Sequence, residues 1–492
     1  MIRRLVLAAA ILALLPAAHA ALPQPVTTLL AGAGIPEDAV SALVLRGDAV
    51  VLSHLPERAM QPASTMKLVT TMVGLERLGP VFRGRTELRT TGEVKNGVLR
   101  GDLILRGGAD ADFSDEVLRD MLRALRYQGI RQVRGQLVFD RQLFNPARLD
   151  VDLPPFDESP DAYYNVIPDA LLVNKNMLRL DMRSTGKRLK LAMQPALEKV
   201  RVRSDMTLVD AACDKWEDGW KQPQAVAGKD GRIDVILHGS YPRNCDQTYS
   251  INVVDRQDYL DRLFRRTWTE LGGTLTGKTV EGATPPEARL LAEHRSRALP
   301  EIIRDINKPS DNALARTVFL SLGALEADPT LGSRPLPAST ETTFSRADAA
   351  VRTWMRAQGI DDTGLVMDNG SGLSRTERIS PVQMAGLLQA GLRSNWAPEF
   401  QASIPIVAVD GTMRRRLHDS PAARRARLKT GTLRNVVAIA GYVPDATGRQ
   451  CVVVAMLNSE LAGNGRGRAI IDALVDWVAR SGAEPVATVA TQ

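Results

Sequence analysis

A serine and a lysine stand three positions apart in residues 62–80, which read PASTMKLVTTMVGLERLGP. Residues at i and i+3 share one face of a helix, so the Ser64 hydroxyl and the Lys67 amine would be neighbours. A serine hydroxyl becomes a strong nucleophile when an adjacent base takes its proton, and a lysine is that base when burial or a second cation lowers its pKa. The pair predicts a serine nucleophile, although the same spacing alone also fits a helix start followed by a surface lysine.

The segment that carries this pair reads as a buried helix. Proline fits the first turn of a helix, and Gly79-Pro80 closes one. No charged residue falls between Lys67 and Glu76, so most faces of the helix are expected to be covered by the rest of the chain. Burial of this kind would favour the neutral form of the lysine.

A second motif, Ser310-Asp311-Asn312, lies 246 positions after the serine. It follows a proline that ends one helical segment, and its residue types favour the turn into the next helix. Acyl transfer needs a path for the proton that goes to the leaving nitrogen. Ser310 is the candidate for that relay, and Asn312 offers an amide that could hold a peptide group of the substrate.

A third motif, Lys429-Thr430-Gly431, begins a predicted strand. Lys429 would place a second cation near Lys67, which lowers the pKa of that base, and it would attract a substrate carboxylate. Gly431 would let a substrate lie against the strand edge as an added strand. The hydroxyls of Thr430 and Thr432 could bind a terminal carboxylate.

The chemistry outlined by these motifs requires no metal or cofactor. The developing oxyanion needs preorganised donors, and the backbone N–H groups of Ser64 and Thr432 are the candidates. The histidines that follow residue 20 have no metal-ligand spacing with another histidine or cysteine, so we predict no metal site.

Residues 1–20, MIRRLVLAAAILALLPAAHA, have the basic start, apolar core and small-residue end of a secretory signal, with cleavage expected after Ala20. No second membrane segment follows, so we expect a mature protein in the periplasm without a transmembrane segment. In an oxidising compartment Cys213 and Cys245 could pair, which the sequence leaves open, and Cys451 in an apolar strand reads as a buried free thiol.

The net charge of +7 and the scattered arginine runs are those of a solvated surface, and the aromatic content of only 4% argues against nucleic-acid binding. The pattern of apolar runs and turn residues along the chain predicts a main domain in two parts, 21–87 and 251–482. Mostly-β inserted modules at 88–250 separate the two parts, and a disordered tail is expected at 483–492.

In this order the three motifs are similar to the set shared by β-lactamases and penicillin-binding proteins. With the stretches DNGSGLSR (368–375), DGTMRRRL (410–417) and KTGTLRNVVAIAGY (429–442), the chain resembles the low-molecular-mass class C penicillin-binding proteins, the D-alanyl-D-alanine carboxypeptidase/endopeptidases. The resemblance covers roughly residues 25–480. It includes the long separation of Ser64 from Ser310, which fits the large insertion of that class and which compact β-lactamases lack.

The resemblance implies an α/β (α+β) fold of the serine β-lactamase/D,D-peptidase type, in which helices flank a five-stranded antiparallel sheet that carries mostly-β insertions. It also implies cleavage of D-Ala-D-Ala stem peptides and D-alanyl-diaminopimelyl crosslinks of peptidoglycan through an acyl-enzyme, and covalent inhibition by β-lactams. Family members hold the diaminopimelate side chain through an acid of the inserted domain. Asp157 is our candidate for it and Glu158 the second choice. A homodimer is left open, as is the balance of carboxypeptidase and endopeptidase activity.

Two alternatives use the same residues differently. A β-lactamase or esterase would hydrolyse its acyl-enzyme quickly, but no glutamate-bearing deacylation motif is evident and the insertion argues against it. A non-catalytic wall-binding scaffold would form no covalent adduct with penicillin, and the intact motifs argue against that alternative.

Overall fold

The computed structural model describes residues 21–151 and 154–482 of the 492-residue chain. The predicted signal peptide (1–20) and the predicted disordered tail (483–492) lie outside the described residues. Within the described ranges, no helix has both the length and the apolar character that crossing a membrane requires.

The chain enters through a helix and a β-hairpin before it reaches the serine–lysine segment. A glycine in the left-handed conformation, Gly47 with φ of +60°, makes the tight hairpin turn. The elements of this first part are α1 (Gln24–Ala33), β1 (Val40–Arg46), β2 (Ala49–His54) and α2 (Lys67–Leu78).

A long, mainly β region follows. Its elements are β3 (Arg85–Thr90), β4 (Glu93–Lys95), β5 (Val98–Arg100), β6 (Leu103–Gly108), α3 (Asp115–Tyr127), β7 (Gln132–Val133), β8 (Leu137–Asp140), β9 (Leu178–Ser184), β10 (Leu189–Gln194), β11 (Val200–Ser204), β12 (Thr207–Val209), β13 (Trp220–Ala227), β14 (Ile233–Pro242), β15 (Asp246–Ile251), α4 (Arg256–Glu270), β16 (Thr274–Leu275), β17 (Thr279–Glu281) and β18 (Arg289–Arg295).

The last part is mostly helical and ends with a three-stranded antiparallel run and a helix. Its elements are α5 (Leu299–Asn307), α6 (Asn312–Ala324), β19 (Leu325–Asp328), β20 (Gly332–Pro335), α7 (Thr343–Ala357), α8 (Pro381–Arg393), α9 (Ala397–Ser403), β21 (Arg427–Leu433), β22 (Val436–Pro444), β23 (Gln450–Asn458) and α10 (Arg466–Arg480).

The two ends of the chain build one five-stranded sheet in the order β2-β1-β23-β22-β21. Every neighbouring pair is antiparallel, which confirms the sheet that the resemblance implies. Strand β21, which carries the third motif, is an edge strand, and among the described residues its outer side has only an isolated bridge, between Arg427 and Ile406. The edge position matters because an edge strand can accept an extended peptide.

Helices cover both faces of this sheet, as the alternation of side chains along a strand allows. On β22, Ala438 and Ala440 pack into the core formed with α2, α5, α6, α7 and α8. Val437, Ile439 and Val443 point to the opposite face and pack with α1 and α10. The serine–lysine segment therefore lies on one face of the sheet, under the cover of several helices.

The inserted region has its own core, separate from the two cores of the main sheet. Side chains of α4, including Tyr259, Phe264 and Trp268, pack there with α3 and the inserted strands. Strand β18 returns to pair with β3 and ends at Arg295. Helix α4 thus shares the core of the inserted strands, and β18 pairs with one of them, whereas the limits 88–250 stay a prediction.

A disulfide joins Cys213 to Cys245 within the inserted region, which answers the question that the sequence left open. Cys451 is a buried free thiol on β23, as its apolar strand predicts. The disulfide links the turn before β13 to the start of β15, and so connects two of the small sheets of the insertion.

Candidate active site

The serine of the first motif lies in a short 3₁₀ turn, Ala63–Met66, and α2 begins at the lysine. The sequence predicted one continuous helix, and the difference has a local cause. Ala63 adopts a left-handed backbone with φ of +45°, which a helix does not allow. Between residues 62 and 75 Ser64 alone is half-buried, and all its neighbours are buried. The turn thus exposes the serine while it buries Lys67.

The Nζ of Lys67 lies 3.0 Å from the Oγ of Ser64. It also donates hydrogen bonds of 2.6 Å to the Oδ1 of Asn312 and 2.6 Å to the backbone O of Ser371. A neutral amine has two N–H groups and one lone pair. Because the two short bonds use both N–H groups, the lone pair faces the serine hydroxyl. This geometry suits a base that removes the Ser64 proton.

The electrostatic surroundings of Lys67 favour the neutral amine near neutral pH. The side chain is completely buried, and burial lowers the pKa of Lys67 to about 7. The carboxylates of Glu377 and Asp311 act in the opposite direction, whereas the cation of Arg316 adds to the lowering. Burial therefore outweighs the acidic neighbours at this lysine.

The second motif forms the turn between α5 and α6, as predicted. The Oδ1 of Asp311 accepts a hydrogen bond from the N–H of Leu314 and caps α6. Ser310 has a left-handed backbone with φ of +69°, a conformation that costs energy for a residue with a Cβ. The side-chain oxygen of Asn312 accepts the hydrogen bond from Lys67, and its amide nitrogen donates one to the backbone O of Tyr164 at 2.9 Å. These two bonds fix which way the amide points.

Lys429 of the third motif is completely buried on β21. Its Nζ donates to the Oγ of Ser310 at 2.9 Å and to the backbone O of Thr430 at 2.8 Å. Burial, together with the charge of Lys67, holds the pKa of Lys429 well below its ordinary value. The structure thus joins the second and third motifs directly, and the first and second through Asn312.

The glycine of the third motif permits a close approach between β21 and the nucleophile segment. A Cβ at Gly431 would lie 2.5 Å from the O of Pro62 and 3.1 Å from the N of Ser64. The backbone at Gly431 therefore passes close to the Ser64 N–H, and Thr432, whose N–H is the second predicted oxyanion donor, follows it directly in the chain. Thr430 is nearly buried and its Oγ1 bonds to that of Thr412 at 2.8 Å, whereas Thr432 is exposed.

Asp157 lies in the inserted region and is connected to the second motif through one residue, Tyr164. Its carboxylate accepts hydrogen bonds from the Tyr164 hydroxyl and the Asn165 amide, both at 2.8 Å, and Tyr164 is the residue whose carbonyl meets Asn312. Burial acts to raise the pKa of Asp157, but these bonds, with one from the Ser159 N–H, outweigh it and hold that pKa below its usual range. Asp157 is therefore an ionised carboxylate at neutral pH.

A cavity of about 830 Å³ opens beside this carboxylate. Phe156 and Asn165 line it from the inserted region, and Arg316 and Arg375 line it from the main domain. The Arg375 guanidinium stacks over the Phe156 ring, with 5.4 Å between its carbon and the ring centre. The alternative acid, Glu158, is exposed next to Asp157.

Several contacts at the site involve residues to which the sequence assigned no role. Ser371 supplies a carbonyl to Lys67, and Thr412 supplies a hydroxyl to Thr430. Both residues lie in stretches that carry the family resemblance, 368–375 and 410–417. The sequence therefore marked these stretches but did not show what Ser371 and Thr412 contact. Tyr164 had no such signal, because it contacts Asn312 through its backbone.

Comparisons with known proteins agree with this geometry. Over 411 residues the chain is 27% identical to the D-alanyl-D-alanine carboxypeptidase DacB of Haemophilus influenzae, covering 82% of each chain. It is 29% identical over 442 residues to a D-alanyl-D-alanine carboxypeptidase of an Actinomadura species, covering 84% of this chain and 76% of the relative. The crystal structure of penicillin binding protein 4 from Haemophilus influenzae superposes with a TM-score of 0.74 at 25% identity, over 92% of this chain and 97% of that one.

The sequence profile of one peptidase family matches nearly the whole described chain, residues 30–481. The match spans both parts of the main domain and the insertion between them. The family that the three motifs predict is confirmed, and so is the fold class: the chain belongs to the D-Ala-D-Ala carboxypeptidase 3 (S13) family.

Proposed function

We propose that the protein is a serine D,D-peptidase that cleaves D-Ala-D-Ala and D-alanyl-diaminopimelyl bonds of peptidoglycan peptides through an acyl-enzyme at Ser64. The observation that carries this proposal is the set of three hydrogen bonds at Lys67, which directs the lone pair of the neutral amine at the Ser64 hydroxyl. The names of the relatives, which are D-alanyl-D-alanine carboxypeptidases, support the choice of substrate.

In the acylation step the Oγ of Ser64 attacks the carbonyl carbon of the penultimate D-alanine while its proton passes to the Nζ of Lys67. The N–H groups of Ser64 and Thr432 stabilise the oxyanion. As the C–N bond breaks, the leaving amine receives a proton through Ser310, which stands beside Lys429. Water then hydrolyses the ester, which releases the shortened peptide and restores the serine.

The end of the substrate is expected to lie along the edge strand β21. A C-terminal carboxylate would meet the positive charge of Lys429 and the hydroxyls of Thr430 and Thr432. The preceding peptide would add to the sheet edge, and the remaining N–H of the Asn312 amide could hold its carbonyl group. The same groups would bind the carboxylate of penicillin, whose strained amide would acylate Ser64.

The side chain of the third stem residue is expected to reach Asp157. Diaminopimelate ends in an ammonium group and a carboxylate, and Asp157 offers a negative charge while Arg375 lies nearby with a positive one. We expect Asp157→Asn to slow D-alanine release from a diaminopimelate peptide at least about tenfold, the scale of a lost charge-assisted contact, and to leave a peptide with an uncharged third residue less affected. Glu158→Gln is the matched control, and a larger loss in that variant would move the assignment to Glu158.

We place the mature enzyme in the periplasm, where its substrate lies. The secretory pattern of residues 1–20 supports this location. The disulfide Cys213–Cys245 is also of the kind that persists in an oxidising compartment.

The intact mass of the purified protein after brief exposure to penicillin tests the proposal. A stable added mass on the peptide that contains Ser64, absent in Ser64→Ala and present in the control Ser53→Ala, is the expected result. An adduct that disappears while penicillin is consumed would favour a β-lactamase. Folded wild-type protein without any adduct would favour the non-catalytic scaffold.

A further inference from the structure

A carboxylate that the mechanism above does not use lies buried behind the base. Glu377 follows the glycine-rich loop 368–375 and is completely buried. Buried carboxylates are rare in proteins unless they are paired or hydrogen-bonded.

One oxygen of this carboxylate holds the loop backbone. The Oε1 of Glu377 accepts hydrogen bonds from three consecutive N–H groups, those of Asp368 at 3.2 Å, Asn369 at 3.0 Å and Gly370 at 2.9 Å. A carboxylate that accepts several backbone bonds is both fixed and stabilised in its ionised form. This arrangement fixes the loop at the point where it turns toward the base.

The next two carbonyl groups of the loop contact the helix that carries the base. The O of Gly370 accepts a hydrogen bond from the Thr70 hydroxyl at 2.6 Å, and the O of Ser371 accepts one from Lys67 at 2.6 Å. There is little room for the loop to shift, because a Cβ at Gly370 would lie 2.6 Å from the Phe319 side chain. Glu377 thus reaches Lys67 through three N–H groups and one carbonyl.

The charged groups around this pair range from buried to exposed, with Lys429 fully buried and Asp368 exposed. Burial raises the pKa of Glu377, and the three N–H groups oppose that rise. Asp368 also raises it, whereas Arg316 faces both Glu377 and Lys67. Lys67 further feels Asp311, and Lys429 lies on the other side of the site. Among these groups Glu377 exerts the largest charge effect on Lys67.

We propose that Glu377 is a positioning residue for Lys67: its carboxylate fixes the loop whose carbonyl holds the amine, and its negative charge biases Lys67 toward the protonated form. The inference rests on the proposed acylation at Ser64. It assigns to the buried glutamate two separable effects, one geometric and one electrostatic. The geometric effect keeps the lone pair of Lys67 directed at the serine, and the electrostatic effect sets the pH range in which that lone pair is available.

The variant Glu377→Gln separates the two effects, because its amide oxygen can still accept the three N–H bonds while the charge is gone. The experiment measures the rate of penicillin acylation of Ser64, by intact mass, from pH 5 to pH 9. Without the negative charge the protonated lysine is less stable, so the acidic limb of the profile is expected to move to lower pH by roughly one unit, the scale of a nearby charge. The rate above the limb is expected to change only a few-fold.

Asp445→Asn is the matched control. Asp445 is also completely buried and also accepts backbone N–H bonds, from Thr447 and Arg449, but it lies in the turn between β22 and β23. In Asp445→Asn the acidic limb of the pH profile of acylation is expected to stay at the wild-type pH. If loss of this distant charge moved the limb equally, a general effect of buried charge would replace the proposal.

A limb that stays in place in Glu377→Gln would overturn the electrostatic part of the inference. Should that variant not fold, Glu377→Asp keeps the charge and shortens its reach: the inference expects an unmoved limb and a reduced maximal rate, and a wild-type rate would overturn the geometric part. Failure of the proposed function is distinguishable, because the wild-type protein itself would then show no Ser64 adduct at any pH.

Discussion

The Nζ of Lys429 lies 2.9 Å from the Oγ of Ser310, so a buried amine on the edge strand meets the hydroxyl of the interhelix turn. The two residues are 119 positions apart in the chain. Their contact brings the edge of the sheet, where a substrate would bind, to the helix start that carries Asn312. The position of the proton relay therefore depends on the same lysine that would attract the substrate carboxylate.

Lys429→Ala is expected to slow acylation by penicillin by about 10- to 100-fold. The variant removes a charge-assisted hydrogen bond of roughly 1.5–3 kcal/mol and leaves Ser310 without its donor. The rate of Ser64 adduct formation over a range of penicillin concentrations measures the effect, and most of it should lie in the binding of the carboxylate. Arg427→Ala removes a half-buried cation from the same strand as a control, and an equal loss there would show that strand charge alone is responsible.

The acylation rate of the wild-type protein is expected to rise through pH 7 and to level off above it. Lys67 takes the serine proton only when it is neutral, and its pKa of about 7 means that the neutral form grows as the pH rises through that value. A stopped-time mass assay from pH 5 to pH 9 gives the profile. A rate that still climbs about tenfold per unit between pH 8 and pH 9 would mean that Lys67 titrates near its ordinary pKa of about 10.4.

Gly431→Ala is expected to reduce acylation by about 100-fold, the scale of a displacement of roughly 1 Å at a reacting group. The added methyl would lie 2.5 Å from the O of Pro62, so β21 and the nucleophile segment must separate. The same overpacking should lower the free energy of unfolding by about 1–3 kcal/mol. Both quantities can be measured on one preparation, by mass and by denaturant unfolding.

The control for that variant is Gly463→Ala, since a Cβ at Gly463 would meet no atom within 4 Å. It is expected to fold and acylate as the wild type does. If Gly431→Ala also acylated at the wild-type rate, the close approach of β21 to Ser64 would have no role in catalysis.

Much of the secondary structure was predictable from the sequence, because it depends on local patterns of residues. The hairpin around Gly47, the helix start at Pro381 and the continuously apolar strands near Cys451 depend on turn chemistry, proline geometry and short apolar runs. The packing partners of α4 depended instead on long-range contacts. Helix α4 looked like any amphipathic helix, and only the fold shows its burial against α3 and the inserted strands.

The site shows the same division. The side-chain groups of Ser64, Lys67 and Lys429 were predictable because their chemistry depends on residue type and order. The carbonyl of Ser371 and that of Tyr164 were not, because any residue has a carbonyl and only the fold decides which one meets Lys67 or Asn312. The close approach of Gly431 and Gly372 to the turn at Ser64 was not predictable either, because both glycines are distant from that turn in sequence.

Removal of the disulfide in a Cys213→Ala, Cys245→Ala double variant is expected to destabilise the inserted region by about 3–4 kcal/mol, the entropy of closing a loop whose ends are 32 positions apart. The three motifs lie outside this loop, so the folded variant should still form the Ser64 adduct at nearly the wild-type rate. Thermal unfolding compared with that rate separates the two effects, and Cys451→Ala, at the free thiol on β23, controls for loss of a cysteine alone. An acylation rate that fell with stability below the unfolding transition would mean that the insertion supports the catalytic geometry directly, through contacts such as that between Lys175 and Asp311.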